Sequence, residues 1–65
     1  MVEESTVDEI EGPRGTAQIF EVARSNGGRM ELEYAVIFAS ERVVVPSLGE
    51  AHILANRLTG LDDES

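Results

Sequence analysis

The stretch Met30 to Phe38 constrains this chain most. Its even positions, Met30, Leu32, Tyr34, Val36 and Phe38, are all apolar, while the odd positions begin as Glu31 and Glu33 and turn apolar at Ala35 and Ile37. Side chains of a strand point to opposite faces in turn, so this alternation marks a half-buried strand. A second face that is acidic at one end and apolar at the other is already unusual, and it directs attention to Ala35 and Ile37.

Other segments are placed relative to that strand. Gly12-Pro13-Arg14-Gly15 reads as a turn, because proline fixes its own φ and glycine accepts unusual backbone angles. A phosphate-binding loop would need a longer glycine pattern leading into a helix, and here β-favouring residues follow. Thr16 to Arg24 is the first strand, with Ile19, Phe20 and Val22. Ser25-Asn26-Gly27-Gly28 then signals a hairpin.

Loop length sets the register of that hairpin, and a slip of one residue turns a whole strand over. A two-residue loop at Asn26-Gly27 places Arg24 opposite Arg29 and sets Val22 and Phe20 against glutamates. A three-residue loop over Asn26 to Gly28 pairs Val22 with Leu32 and Phe20 with Tyr34, collecting the large apolar side chains on one face. The sequence favours the second register, at the cost of facing Glu21 with Glu33, a repulsion of up to about 1 kcal/mol.

Ser40-Glu41 makes a further turn, and Arg42 to Val45 is a third strand ended by Pro46. Ser47 and Glu50 have the spacing of a capping box, in which each residue satisfies an amide at the helix start. Ala51, Leu54, Ala55 and Leu58 then fall on one helical face, and Gly60 supplies a left-handed stop. The expected fold is α+β: a three-stranded antiparallel sheet in β-β-β-α order with one C-terminal helix, from about Leu48 to Thr59, packed on one face. The helix is expected across Phe20, Leu32, Tyr34 and Val36.

Charge divides the chain. The formal net charge is −8 over 65 residues, carried mostly by Glu3, Glu4, Asp8, Glu9 and Glu11 at one end and Asp62, Asp63 and Glu64 at the other. Residues 1–14 are therefore expected as an acidic flexible segment, 15–61 as a single domain close to neutral, and 62–65 as an acidic tail. Thr6 to Ile10 could add a short edge strand. All five basic residues are arginine.

Function is read mainly by exclusion. There is no cysteine, one histidine and one tyrosine, and no nucleophile–base pair can be assembled, so no enzyme, catalytic residue or cofactor is expected. His52 sits at the edge of the helical stripe and reads as packing. Glu21, Glu31 and Glu33 share the outer sheet face in the favoured register, an arrangement that could hold a hard cation. Without a further ligand no metal site is expected there. Three-stranded sheets followed by a helix can enter a DNA groove, but such a face must neutralise phosphates and this one presents glutamates. No direct nucleic-acid binding, no membrane span and a soluble cytoplasmic protein are expected.

Leftover apolar surface remains. Ile19, Ala35 and Ile37 are expected on the outer sheet face beyond the glutamates, and Ile53 points away from the helical stripe. A contiguous apolar group on so small a core suggests an interface, unless Val7 and Ile10 fold back over it. The sequence therefore points to a non-enzymatic protein-interaction module, regulatory, accessory or inhibitory, forming a homodimer through the outer sheet face or the edge of the first strand. Its expected partner residues are Ile19, Ala35, Ile37, Ile53, Glu21, Glu31 and Glu33. The alternative is an acidic, nucleic-acid-mimicking inhibitor, of the kind phages carry against host defence, that blocks the basic site of a larger protein.

Overall fold

The computed structural model describes residues 2–63; Glu64 and Ser65 of the expected acidic tail, and Met1, lie outside the described residues. Four strands precede one helix: β1 (Val2–Gly12), β2 (Gly15–Asn26), β3 (Arg29–Phe38), β4 (Glu41–Val45) and α1 (Leu48–Thr59), followed by a short 3₁₀ turn at Leu61–Asp63. The sheet is an antiparallel meander in the order β1-β2-β3-β4, so β1 and β4 are its edges. The architecture is α+β with a C-terminal helix, but the sheet has four strands where the sequence indicated three.

The extra strand comes from the acidic N-terminal stretch. Its carboxylates conceal a strand pattern that is broken once. Thr6 pairs with Phe20 and Asp8 with Ile19, leaving Val7 as an extra residue at a bulge. An inserted residue reverses the facing of everything beyond it. Glu4 and Thr6 therefore share the outer face with Phe20 and Val22. Asp8 and Ile10 turn toward the helix, and Ile10 packs against the core.

The hairpin register differs from the expected one by one residue. Asn26 pairs with Arg29, so Gly27-Gly28 forms a two-residue turn. Both glycines have positive φ, 59° and 81°, as a type I′ turn requires, and glycine adopts these angles without steric cost. The resulting pairs, Ile19 with Val36, Glu21 with Tyr34 and Arg24 with Glu31, remove the Glu21–Glu33 repulsion and bring Arg24 Nε to 3.2 Å from Glu33 Oε1. Relative to expectation, β3 keeps its facing and β2 is turned over. Ala17 and Ile19 face the helix, while Phe20 and Val22 lie on the outer side.

The helix begins and ends where its caps place it. Ser47 is extended and its side chain accepts from the Glu50 amide at 3.2 Å, while Gly60, at φ 85°, closes the other end through carbonyls of Asn56 and Arg57. Ala51, Ala55 and Thr59 form the buried line, against Ala17, Ile19 and Val36 of the sheet. Full burial of Ile19 and Val36 contributes about 1.5–3 kcal/mol each. The small alanines let the helix approach, and the Thr59 hydroxyl is satisfied by donating to the Ala55 carbonyl at 2.7 Å.

Helix and sheet differ in length. Twelve helical residues span about 18 Å, whereas the twelve residues of β2 span about 40 Å, in line with a long axis of 46 Å. The β2–β3 hairpin tip and the start of β1 therefore overhang the helix, leaving Met30 and Leu32 exposed.

At the other end the β1–β2 turn is fastened to the helix terminus. The Arg14 amide donates to the Thr59 carbonyl at 2.8 Å, and a side chain at Gly12 would meet the Thr59 Cβ at 2.7 Å and its Oγ1 at 2.8 Å. Gly12→Ala is therefore predicted to destabilise the fold by about 1–3 kcal/mol through overpacking, measured as a lower urea midpoint at unchanged slope.

Candidate functional site

The corrected register redistributes the expected interface residues. Ile19 is fully buried beneath the helix and cannot belong to an outer patch. Glu21 faces the helix side, opposite Tyr34, so it does not share a face with Glu31 and Glu33. Those two remain on the outer side, where Glu31 opposes Arg24 and Glu33 is its ion-pair partner. Ala35 and Ile37 are on the outer side as expected, but Ala35 is fully buried and Ile37 half-buried.

The burial of Ala35 has a physical cause. Arg42 on β4 and Glu4 on β1 meet at 2.6 Å, although β2 and β3 lie between them. In a flat sheet their Cα atoms would be about 19 Å apart, from three strand spacings and a four-residue offset, more than the two side chains span. The sheet edges therefore curl toward each other on this side. The ion pair runs diagonally across the side that carries Phe20 and Ala35. There Val22 and Ala35 are buried and Phe20 and Ile37 half-buried, while Val44 stays exposed.

Open apolar surface lies elsewhere. Between β4 and the outer flank of α1 runs a groove of about 440 Å³ lined by Val43, Val45, Pro46, Glu50, Ile53, Leu54 and Arg57. Ile53 is 55% exposed and Val43 38%, while Val44, 45% exposed, points to the outer side with Ala35. Ile53 is thus where the helical periodicity placed it, and it has neighbours that sequence reasoning missed. The signal for them was present: a run of three valines puts Val43 and Val45 on one face, but which face depends on the register. β4 is also a sheet edge, so along its outer side no strand pairs with it among the described residues. The apolar overhang at Met30 and Leu32 is bordered by carboxylates of the same face, Glu3 and Glu21.

The chain's histidine has a defined role. His52 Nε2 lies 2.8 Å from Asp8 Oδ2, and Nδ1 lies 3.1 Å from the Leu48 carbonyl. Both partners are acceptors when Asp8 is ionised, so the doubly protonated ring satisfies both and a neutral ring only one. The bulge at Val7 aims Asp8 at this ring and so ties β1 to α1. Among the described residues no group of three His, Cys, Asp or Glu side chains is placed to hold a metal ion. No described helix is long and apolar enough to cross a membrane.

Comparison with family models, with curated proteins and with solved structures finds no match to this chain.

The hydrogen bond from His52, then that from the Glu9 amide, holds the Asp8 carboxyl below its ordinary value of 3.8. A lowered carboxylate pKa stabilises the fold above the unfolded value, and this is lost as pH falls through the folded one. Asp8→Asn is therefore predicted to lower Tm at about pH 6, with the difference from wild type closing in acid below that ordinary value, followed by circular dichroism.

Proposed function

We propose that this chain is a small non-enzymatic protein-interaction module, regulatory or accessory in role, that docks through the groove between β4 and α1. The carrying observation is Ile53, 55% exposed, sharing a groove with Val43 and Val45 of an edge strand. A domain of 65 residues has little core to spare and gains from any further burial. Edge strands with an apolar flank also recruit partners by strand addition, where backbone hydrogen bonds give affinity and side-chain pockets give specificity. The absence of cysteine supports a reducing compartment such as the cytoplasm. The interface considered from sequence, the outer sheet face, is a poorer candidate because Ile19 turns to the helix side and Ala35 is fully buried.

A second reading has one observation in its favour. The N-terminal carboxylates Glu3, Glu4, Asp8, Glu9 and Glu11 are carried on β1, an ordered edge strand. Charges at fixed spacing suit an acidic inhibitor that occupies the basic site of a nucleic-acid-binding protein, whereas charges on a loose tail would only steer.

One experiment separates the two. Isotope-labelled protein titrated with extract of its native host is predicted to show NMR perturbations centred on residues 43–57 that persist at high salt. Perturbations confined to β1 that vanish with added salt would favour the inhibitor, and none in either place from a chain that is also monomeric when purified would remove both readings.

A further inference from the structure

We infer that the occupant of the β4–α1 groove is a second copy of this chain, paired antiparallel through β4 about a twofold axis near Val43 and Ile53. This rests on the reading of the groove as the docking face and names what docks there.

Charge selects the edge. In a chain of net charge −8, two copies repel unless they meet through their least charged surface. β1 carries five carboxylates and no basic residue. Antiparallel pairing of that edge with its own copy would set carboxylates against carboxylates, a known protection of edge strands. β4 reads Glu-Arg-Val-Val-Val, so its charges cancel and its apolar half is open.

Symmetry selects the partner. α1 follows β4 through Pro46 and Ser47 and runs back along it, so Glu50 lies toward the Val45 end and Arg57 toward the Glu41 end. An isologous interface brings residue i against j and j against i. A twofold axis near the middle of β4 reverses the ends, setting Glu50 of each copy toward Arg57 of the other with Ile53 between them. The groove thus carries its own complement: one acid, one base and an apolar centre. Arg57 is free to engage, because its ion pair with Asp62 is long at 3.9 Å and its side chain is 70% exposed. The assembly is an eight-stranded sheet with both helices on one side, and the acidic β1 edges are its two outer rims.

Sedimentation equilibrium of the purified chain tests this, with helicity recorded for each variant because Glu50 also receives the Ser47 hydroxyl at 3.4 Å. The wild type should have twice the 7.1 kDa chain mass. Glu50→Arg and Arg57→Glu should each raise the dissociation constant by about tenfold, and the combined variant should restore it to within about threefold. Ile53→Asp, at an exposed position outside the core, should give a folded monomer. A monomeric wild type, single reversals without effect, or a combined variant no tighter than the singles would each overturn the inference. If the purified wild type is a monomer while host extract still perturbs residues 43–57, the second copy is wrong and the docking reading stands. If neither is seen, both fall.

Discussion

The turn at Gly27-Gly28 is the constraint on which the rest of the molecule depends. Two glycines with positive φ make the tightest hairpin connection and pin Ile19 opposite Val36. That pair lies on the side where Ala51 and Ala55 arrive. A shift of one residue would send Ile19 to the far side and bring Phe20 under the helix. The facing of β2 then determines the facing of its other neighbour, β1. The bulge at Val7 is the device that lets one strand present Glu4 to the outer side and Asp8 and Ile10 to the helix.

From that arrangement the sheet acquires two unequal sides. One is covered by α1, fastened at Gly12 and Thr59 and tied to β1 by His52 and Asp8. On the other, Arg42 and Glu4 reach across from opposite edges. An exposed ion pair of this kind is worth little in itself; its significance is geometric, since it records how far the edges have curled. The contiguous apolar surface beside the helix is the margin between β4 and α1, and a second exposed stretch is the overhanging hairpin tip.

Local features were legible in the sequence, and features set by a count of turn residues were not. The helix from Leu48 to Thr59 could be read because Ser47, Glu50 and Gly60 each act within a few residues of themselves. The facing of Met30 to Phe38 could be read because alternation is a property of one strand. The facing of β2 could not, because a three-residue loop over Asn26 to Gly28 gathers the large apolar side chains on one face, whereas the two-residue turn at Gly27-Gly28 divides them, and one residue of loop length turns β2 over. Ile19 and Glu21 went to the wrong side for that reason alone. The strand nature of Val2 to Gly12 was obscured by carboxylates, which look the same in sequence whether they sit on a loose tail or along a solvated strand edge. Of the site, Ile53 was visible from helical periodicity. Val43 and Val45 were not, since three consecutive valines carry no alternation to say which of them faces the helix.

The central claim is that β4, and not β1, is the edge through which this chain associates. Residue-resolved amide exchange at two protein concentrations tests it most directly, because a sheet edge that acquires a strand partner gains protected amides. The account predicts that amides within Glu41–Val45 slow as concentration rises while those of β1 do not change. Exchange within β4 that is independent of concentration, or protection that grows along β1 instead, would contradict it.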